Sequence, residues 1–156
     1  IQLLLKHDAT VSICHSKSSN IKNITKTADV LIVAAGHANL ITKDIGCNGC
    51  FINYKSLNII VKKPHLSNNE VNCVMCEELG HFYTHSTYNI NCNDLNFISK
   101  QEHKAKKYAY ERLIPFDLLK KLSAKYDKYE ICDLLDITPK FLENAYSYYV
   151  GKYEKT

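Results

Sequence analysis

The chain has 156 residues, 46% of them apolar and 23% charged, and a formal net charge of +4. That length suits one domain, or one domain and a fragment, and the apolar share can fill a modest core. The lysines are dispersed, with the densest cluster (Lys104, Lys106, Lys107) inside one helical stretch, so a nucleic-acid partner is not expected; no apolar run approaches the roughly 18 residues of a membrane span.

Ile1 to Leu5 is apolar, but Lys6, His7 and Asp8 follow at once. With no basic n-region and no small-residue cleavage site, this start is not expected to be a signal peptide. Position 1 is Ile, which leaves room for residues upstream. Seven cysteines without a secretion signal read as reduced thiols in a cytoplasmic protein.

Residues 9–16 read as a short buried strand, Ser18 to Thr27 as helix or loop, and Asp29 to Ala35 as a continuously apolar strand ended by Gly36. Strand, helix and apolar strand in that order predict a parallel βαβ unit. Three stretches carry a resemblance: Leu4-Leu5-Lys6-His7-Asp8-Ala9-Thr10-Val11, Cys14-His15-Ser16-Lys17, and Ala28-Asp29-Val30-Leu31-Ile32-Val33-Ala34-Ala35-Gly36. Together they resemble the nucleotide-binding domain of methylenetetrahydrofolate dehydrogenase/cyclohydrolase. The resemblance implies that His15, Ser16 and Lys17 lie near a cofactor's ribose and phosphate, and Gly36 near its nicotinamide. The Gly-rich turn that cradles a pyrophosphate is not in the sequence, nor is the family's catalytic-lysine domain. The leader is therefore expected to be a remnant that binds no NADP.

Gly46-Cys47-Asn48-Gly49-Cys50 is turn-rich and marks a boundary between units at 1–45 and 46–156. Phe51 to Tyr54 and Leu57 to Lys62 predict a β-hairpin with Lys55-Ser56 near its tip, ended by Pro64. From Ser67 onward the chain reads as almost wholly helical. Ser67 and Glu70 form a capping-box pattern opening a helix from about Asn68 to about His85. Val71, Val74, Met75, Leu79 and Phe82 share one face, which should pack on the hairpin. Glu77, His81, His85 and Glu78 fall on one stripe spanning about 100° along its edge. Side chains at i and i+4, as in Glu77/His81 and His81/His85, can reach one metal ion.

Zinc peptidases use His-Glu-x-x-His, two ligands and a general base, on such a helix. Here the frame is Glu77-Glu78-x-x-His81. Glu77 replaces the first imidazole with a carboxylate, which can still ligate zinc but makes the site harder and more negative. Glu78 keeps the position of the base. The stretches Gly49-Cys50-Phe51-Ile52-Asn53-Tyr54-Lys55, Leu57-Asn58-Ile59-Ile60-Val61, Glu77 to Thr84, and Ala105-Lys106-Lys107-Tyr108-Ala109 closing on Leu113-Ile114-Pro115 resemble the ImmA/IrrE-type metallopeptidases. This resemblance covers residues 47 to about 150, and is strongest to the shorter forms of phage and mobile elements. It implies a zinc-dependent endopeptidase acting on a protein substrate, a helix-turn-helix repressor. It also implies a third ligand on the following helix, just before Ala105. Lys104 holds that position, and Glu102, which shares a helical face with Ala105 and Ala109, is the candidate. His85 is a reserve ligand.

The fold expected is α+β: a Rossmann-like βαβ fragment, then a small hairpin packed on a mostly helical zincin-like domain. Two other readings stay open, a non-catalytic protein-binding module with a degraded metal site and a non-functional nucleotide-binding remnant. The pairs Cys47/Cys50 and Cys73/Cys76 have structural-zinc spacing, although the second lies within an apolar helix and buried thiols commonly serve as small apolar groups. Near the C-terminus, Thr138-Pro139 predicts a helix start. The helix before it and the Tyr-rich helix after it are laid out like a helix-turn-helix, and read as completing the core.

Overall fold

A computed structural model of the chain describes residues 12, 20–27, 30–33, 47–54, 57–63, 65–88 and 92–153. His15, Ser16, Lys17 and Gly36, with nearly all of the first predicted strand, lie outside the described residues. The arrangement is α+β: one three-stranded sheet packed on a helical body.

Helix α1 (Ile21–Lys26) precedes strand β1 (Val30–Val33). The hairpin forms as predicted from β2 (Gly49–Tyr54) and β3 (Leu57–Lys62), antiparallel from Gly49↔Lys62 to Tyr54↔Leu57. The sheet order is β1-β3-β2. β1 therefore runs beside the hairpin, parallel to β3 from Val30↔Asn58 to Val33↔Val61. Ile60 and Val61 point to opposite faces of β3 and both are buried, so this central strand is covered on its two sides.

Five further helices follow: α2 (Asn68–Tyr83), α3 (Leu95–Leu113), α4 (Phe116–Ser123), α5 (Lys128–Leu135) and α6 (Pro139–Tyr153). Their starts obey local chemistry. Ser67 accepts from the Glu70 N–H while the Glu70 carboxylate accepts from the Ser67 N–H, which closes the predicted capping box. Asp94 caps α3 with a side-chain oxygen on the N–H groups of Asn96 and Phe97, and Asp127 closes a second capping box with Glu130 at the start of α5. Thr138 accepts from the N–H of Phe141, and Pro139 takes the first position of α6. No described helix is long and apolar enough to cross a membrane.

Two features of α2 differ from the sequence expectation. The helix ends at Tyr83, where the Thr84 hydroxyl donates to the Gly80 carbonyl, and His85 turns away at φ 50°. The apolar face is also redistributed. Of the five predicted residues Leu79 is buried, while Val71, Val74, Met75 and Phe82 are half-buried. Cys73 and Cys76, on the other side, enter the main core with Ala109, Ile114, Phe141 and Leu142. The cause is that α2 lies between two layers, sheet and helices, so a single amphipathic stripe cannot describe it. Thiols suit the helical side because they are small and apolar.

The α2–α3 contact is the tightest. A Cβ built on Gly80 would stand 2.4 Å from the carbonyl oxygen of Ala105. Ala105 and Ala109, one turn apart, are 1% and 0% exposed and keep that face of α3 shallow. Gly80→Ala must therefore push the helices apart and should destabilise the fold by roughly 1–3 kcal/mol. Gly151→Ala in α6, where a Cβ meets nothing within 4 Å, should stabilise it by about 0.5–1 kcal/mol through helix propensity. Denaturant unfolding of the two variants checks both signs.

Candidate active site

Three elements meet around the second half of α2: β2 above it, α3 beside it, and the loop from Thr84 to Tyr88 at its end. Glu78 lies under the start of β2. A Cβ on Gly49 would come within 3.0 Å of the Glu78 carboxylate and 2.4 Å of Val74, so Gly49 lets the strand settle over both. The Phe51 N–H donates to the same carboxylate. Glu78 is only 9% exposed. Burial pushes its pKa up to about 7; His81 opposes this, and the negative charges of Glu102 and Glu77 add to it.

His81 is 8% exposed and fixed at both ring nitrogens. Its Nδ1 lies 2.6 Å from the buried carbonyl oxygen of Ser86 and 3.2 Å from the Ser86 hydroxyl. A carbonyl can only accept, so Nδ1 carries a proton. Nε2 then faces Oε1 of Glu102 at 3.4 Å. Burial pulls the His81 pKa down, but the Glu102 carboxylate and the Ser86 carbonyl outweigh it and the net shift is upward. The hydrogen bond from His81 is the main reason that Glu102 titrates below the usual carboxylate range.

Glu102 has two further partners. The Tyr88 hydroxyl donates to Oε1 at 2.8 Å, and the Lys106 ammonium lies 3.9 Å from Oε2. Glu77 is half-buried. Burial raises its pKa, Lys106 and His81 lower it, and Glu102 raises it. His85 is exposed and follows the helix end.

The structure thus brings Glu78, His81 and Glu102 together, sets Glu77 on their flank and leaves His85 outside. Among the described residues, no three His, Cys, Asp or Glu side chains stand arranged as a formed metal site. Sequence reasoning missed Ser86, Tyr88 and Lys106. Lys106 was visible, since it lies four residues after Glu102 on one helix. Ser86 and Tyr88 come from a loop whose path no periodicity reveals.

The cysteine pairs do not converge. Cys73 and Cys76 lie in the helical core, with burial pushing their thiols up to about 11 and about 12. Cys47 is exposed beside β2 and Cys50 half-buried on it.

A family model described as the IrrE N-terminal-like domain matches residues 48–143. The chain belongs to that family. It is a peptidase family, and the match carries a peptidase-type fold. A second model, the NAD(P)-binding domain of tetrahydrofolate dehydrogenase/cyclohydrolase, matches residues 1–66. The relatives on that side are proteins named bifunctional protein FolD. The chain is 61% identical to the one from Methanospirillum hungatei over 46 residues, covering 29% of this chain and 16% of that protein. It is 44% identical to that of Malacoplasma penetrans over 52 residues, 33% and 18% of the two chains. With Bacillus thuringiensis the values are 54% over 43 residues, 28% and 15%. The chain therefore spans less than a fifth of the length of these relatives. No solved structure matches.

The raised pKa of Glu78 has a sign that can be checked. Between about pH 4.5 and 7 the folded state holds a proton there that the unfolded chain has lost, so this group's contribution to stability falls as pH rises through that window. Glu78→Gln removes the effect. In metal-free protein it should raise stability at pH 8 by roughly 1–3 kcal/mol relative to its effect at pH 4, as read from urea unfolding at the two pH values.

Proposed function

We propose that the chain is a zinc-dependent endopeptidase of the cytoplasm whose substrate is a helix-turn-helix repressor of a phage or mobile element. The observation that carries this reading is the His81–Glu102 approach. With one proton held on Nδ1 by the Ser86 carbonyl, His81 can give up the Nε2 proton that it shares with the Glu102 carboxylate 3.4 Å away and offer that lone pair to a metal ion. Two acceptors so placed call for a cation or proton between them.

The donor chemistry suits a zinc ion. Imidazole and carboxylates are its ordinary nitrogen and oxygen donors. A metal-ligating imidazole commonly donates its other N–H to a backbone carbonyl, as His81 does to Ser86. Glu77, His81 and Glu102 would hold the ion, with His85 as the reserve ligand. A bound zinc supplies Lewis acidity toward the peptide carbonyl and a lowered water pKa.

Glu78 is the general base. Its pKa near neutrality lets it take a proton from the attacking water and return it to the leaving amine. The Phe51 N–H and the cover of β2 hold its carboxylate in place. In this reading residues 46–156 form the working unit and residues 1–45 a remnant that binds no NADP, so His15, Ser16, Lys17 and Gly36 take no part.

One observation favours a second reading. The Lys106 ammonium stands beside Glu102 and lowers the pKa of Glu77. A cation already paired with Glu102 and felt by Glu77 suits a non-catalytic protein-binding module with a degraded site.

Metal analysis of purified protein separates the two. The peptidase should carry about one zinc per chain, lost in His81→Ala. Glu78→Gln should keep the metal and lose repressor cleavage by about 100-fold or more; an unchanged rate would remove Glu78 from the role of base. A metal-free chain that still binds the repressor would establish the second reading.

A further inference from the structure

The described part of the loop between α2 and α3 reaches the candidate site through two residues, Ser86 and Tyr88. Ser86 holds Nδ1 of His81 at 2.6 Å, and Tyr88 donates to Oε1 of Glu102 at 2.8 Å. The same oxygen faces Nε2 of His81 at 3.4 Å. The edge of the Tyr88 ring also lies against the His81 imidazole, with centroids 6.5 Å apart and planes at 72°. Tyr88 thus touches both members of the pair, from a segment that the helical spacing of the motif does not include.

We propose that Tyr88 is a positioning residue, one that orients Glu102 for metal binding through its hydroxyl. The inference rests on the reading of Glu102 and His81 as zinc ligands. Glu102 is one-third exposed and hangs from a helix face, so its side chain has rotamers to lose on binding an ion. The hydroxyl of Tyr88 and the ammonium of Lys106 address different oxygens of the carboxylate. Oε1 is thereby turned toward Nε2, and Oε2 is left to Lys106. The phenol is the donor, because a carboxylate oxygen can only accept. Tyr88 is 40% exposed, so loss of its hydroxyl removes this hydrogen bond and leaves no buried group unsatisfied. Phe at this position keeps the ring edge against His81 and removes only the donor.

Competition with a chromophoric chelator measures zinc affinity without reference to peptidase activity. Loss of a hydrogen-bonded partner behind a metal ligand weakens affinity by about 10- to 100-fold. Tyr88→Phe should therefore bind zinc about tenfold more weakly than the wild type, with the thermal unfolding of the metal-free protein unchanged. A double-mutant cycle isolates the route. In a Glu102→Ala background, Tyr88→Phe should change zinc affinity by less than about twofold, because the carboxylate that it orients is gone. Equal losses in the two backgrounds would show that Tyr88 acts elsewhere, and unchanged affinity in Tyr88→Phe alone would show that it orients nothing; either result overturns the assignment while the zinc site stands. A wild type that takes up no zinc overturns the site reading and this one together.

Discussion

Between Gly80 and Ala105 the backbones of α2 and α3 meet with no room for a Cβ. Each half of the candidate site is a short step from that contact. His81 is the next residue on α2, and Glu102 lies three before Ala105 on α3. Two side chains that must meet across a helix pair need the axes close, since interaxial distances of about 8–10 Å are set by the residues at the contact. A larger residue at position 80 would widen the gap where the imidazole and carboxylate approach to 3.4 Å. The small residues of the contact and the residues of the candidate site are one design, read along two helices.

The second constraint is electrostatic. Three carboxylates, Glu77, Glu78 and Glu102, crowd one imidazole in a largely buried space. Such a group of like charges cannot stay fully ionised without compensation, and the protein divides the burden by environment. Glu102 stays ionised beside His81, Tyr88 and Lys106. Glu78 sits under β2 and titrates near neutrality. Glu77 is intermediate, half-buried and answered by Lys106. Carboxylates of one kind thus reach different protonation states through what covers them, a requirement for any site that separates an acid–base group from a binding group.

Much of this was legible in the sequence. The hairpin, the Ser67–Glu70 capping box, the Thr138-Pro139 helix start and the α+β class all follow from local rules that act over a few residues. The i, i+4 geometry put Glu77, Glu78 and His81 on one side of α2, and helical period put Glu102 on the face of Ala105. What local rules could not show depends on a third dimension. The burial of Cys73 and Cys76 reflects a helix packed on two sides. The end of α2 at Tyr83, ahead of His85, depends on the Thr84 hydroxyl returning to the Gly80 carbonyl. Ser86 and Tyr88 matter because a loop folds back over the end of its own helix, and no pattern in their spacing signals that.

The pairing of β1 with β3 has a consequence for how the chain was put together. The two family matches share residues 48–66, which contain both strands of the hairpin. β1, from the leader, is hydrogen-bonded along β3 rather than tethered through a free linker. The seam between the two similarities therefore runs through a sheet. A chain cut at residue 46 would bare one edge of β3 as unpaired N–H and C=O groups flanked by Ile59, Ile60 and Val61. Exposed apolar edges of that kind recruit other strands. The leader strand thus covers an edge of the hairpin that would otherwise be open to self-association.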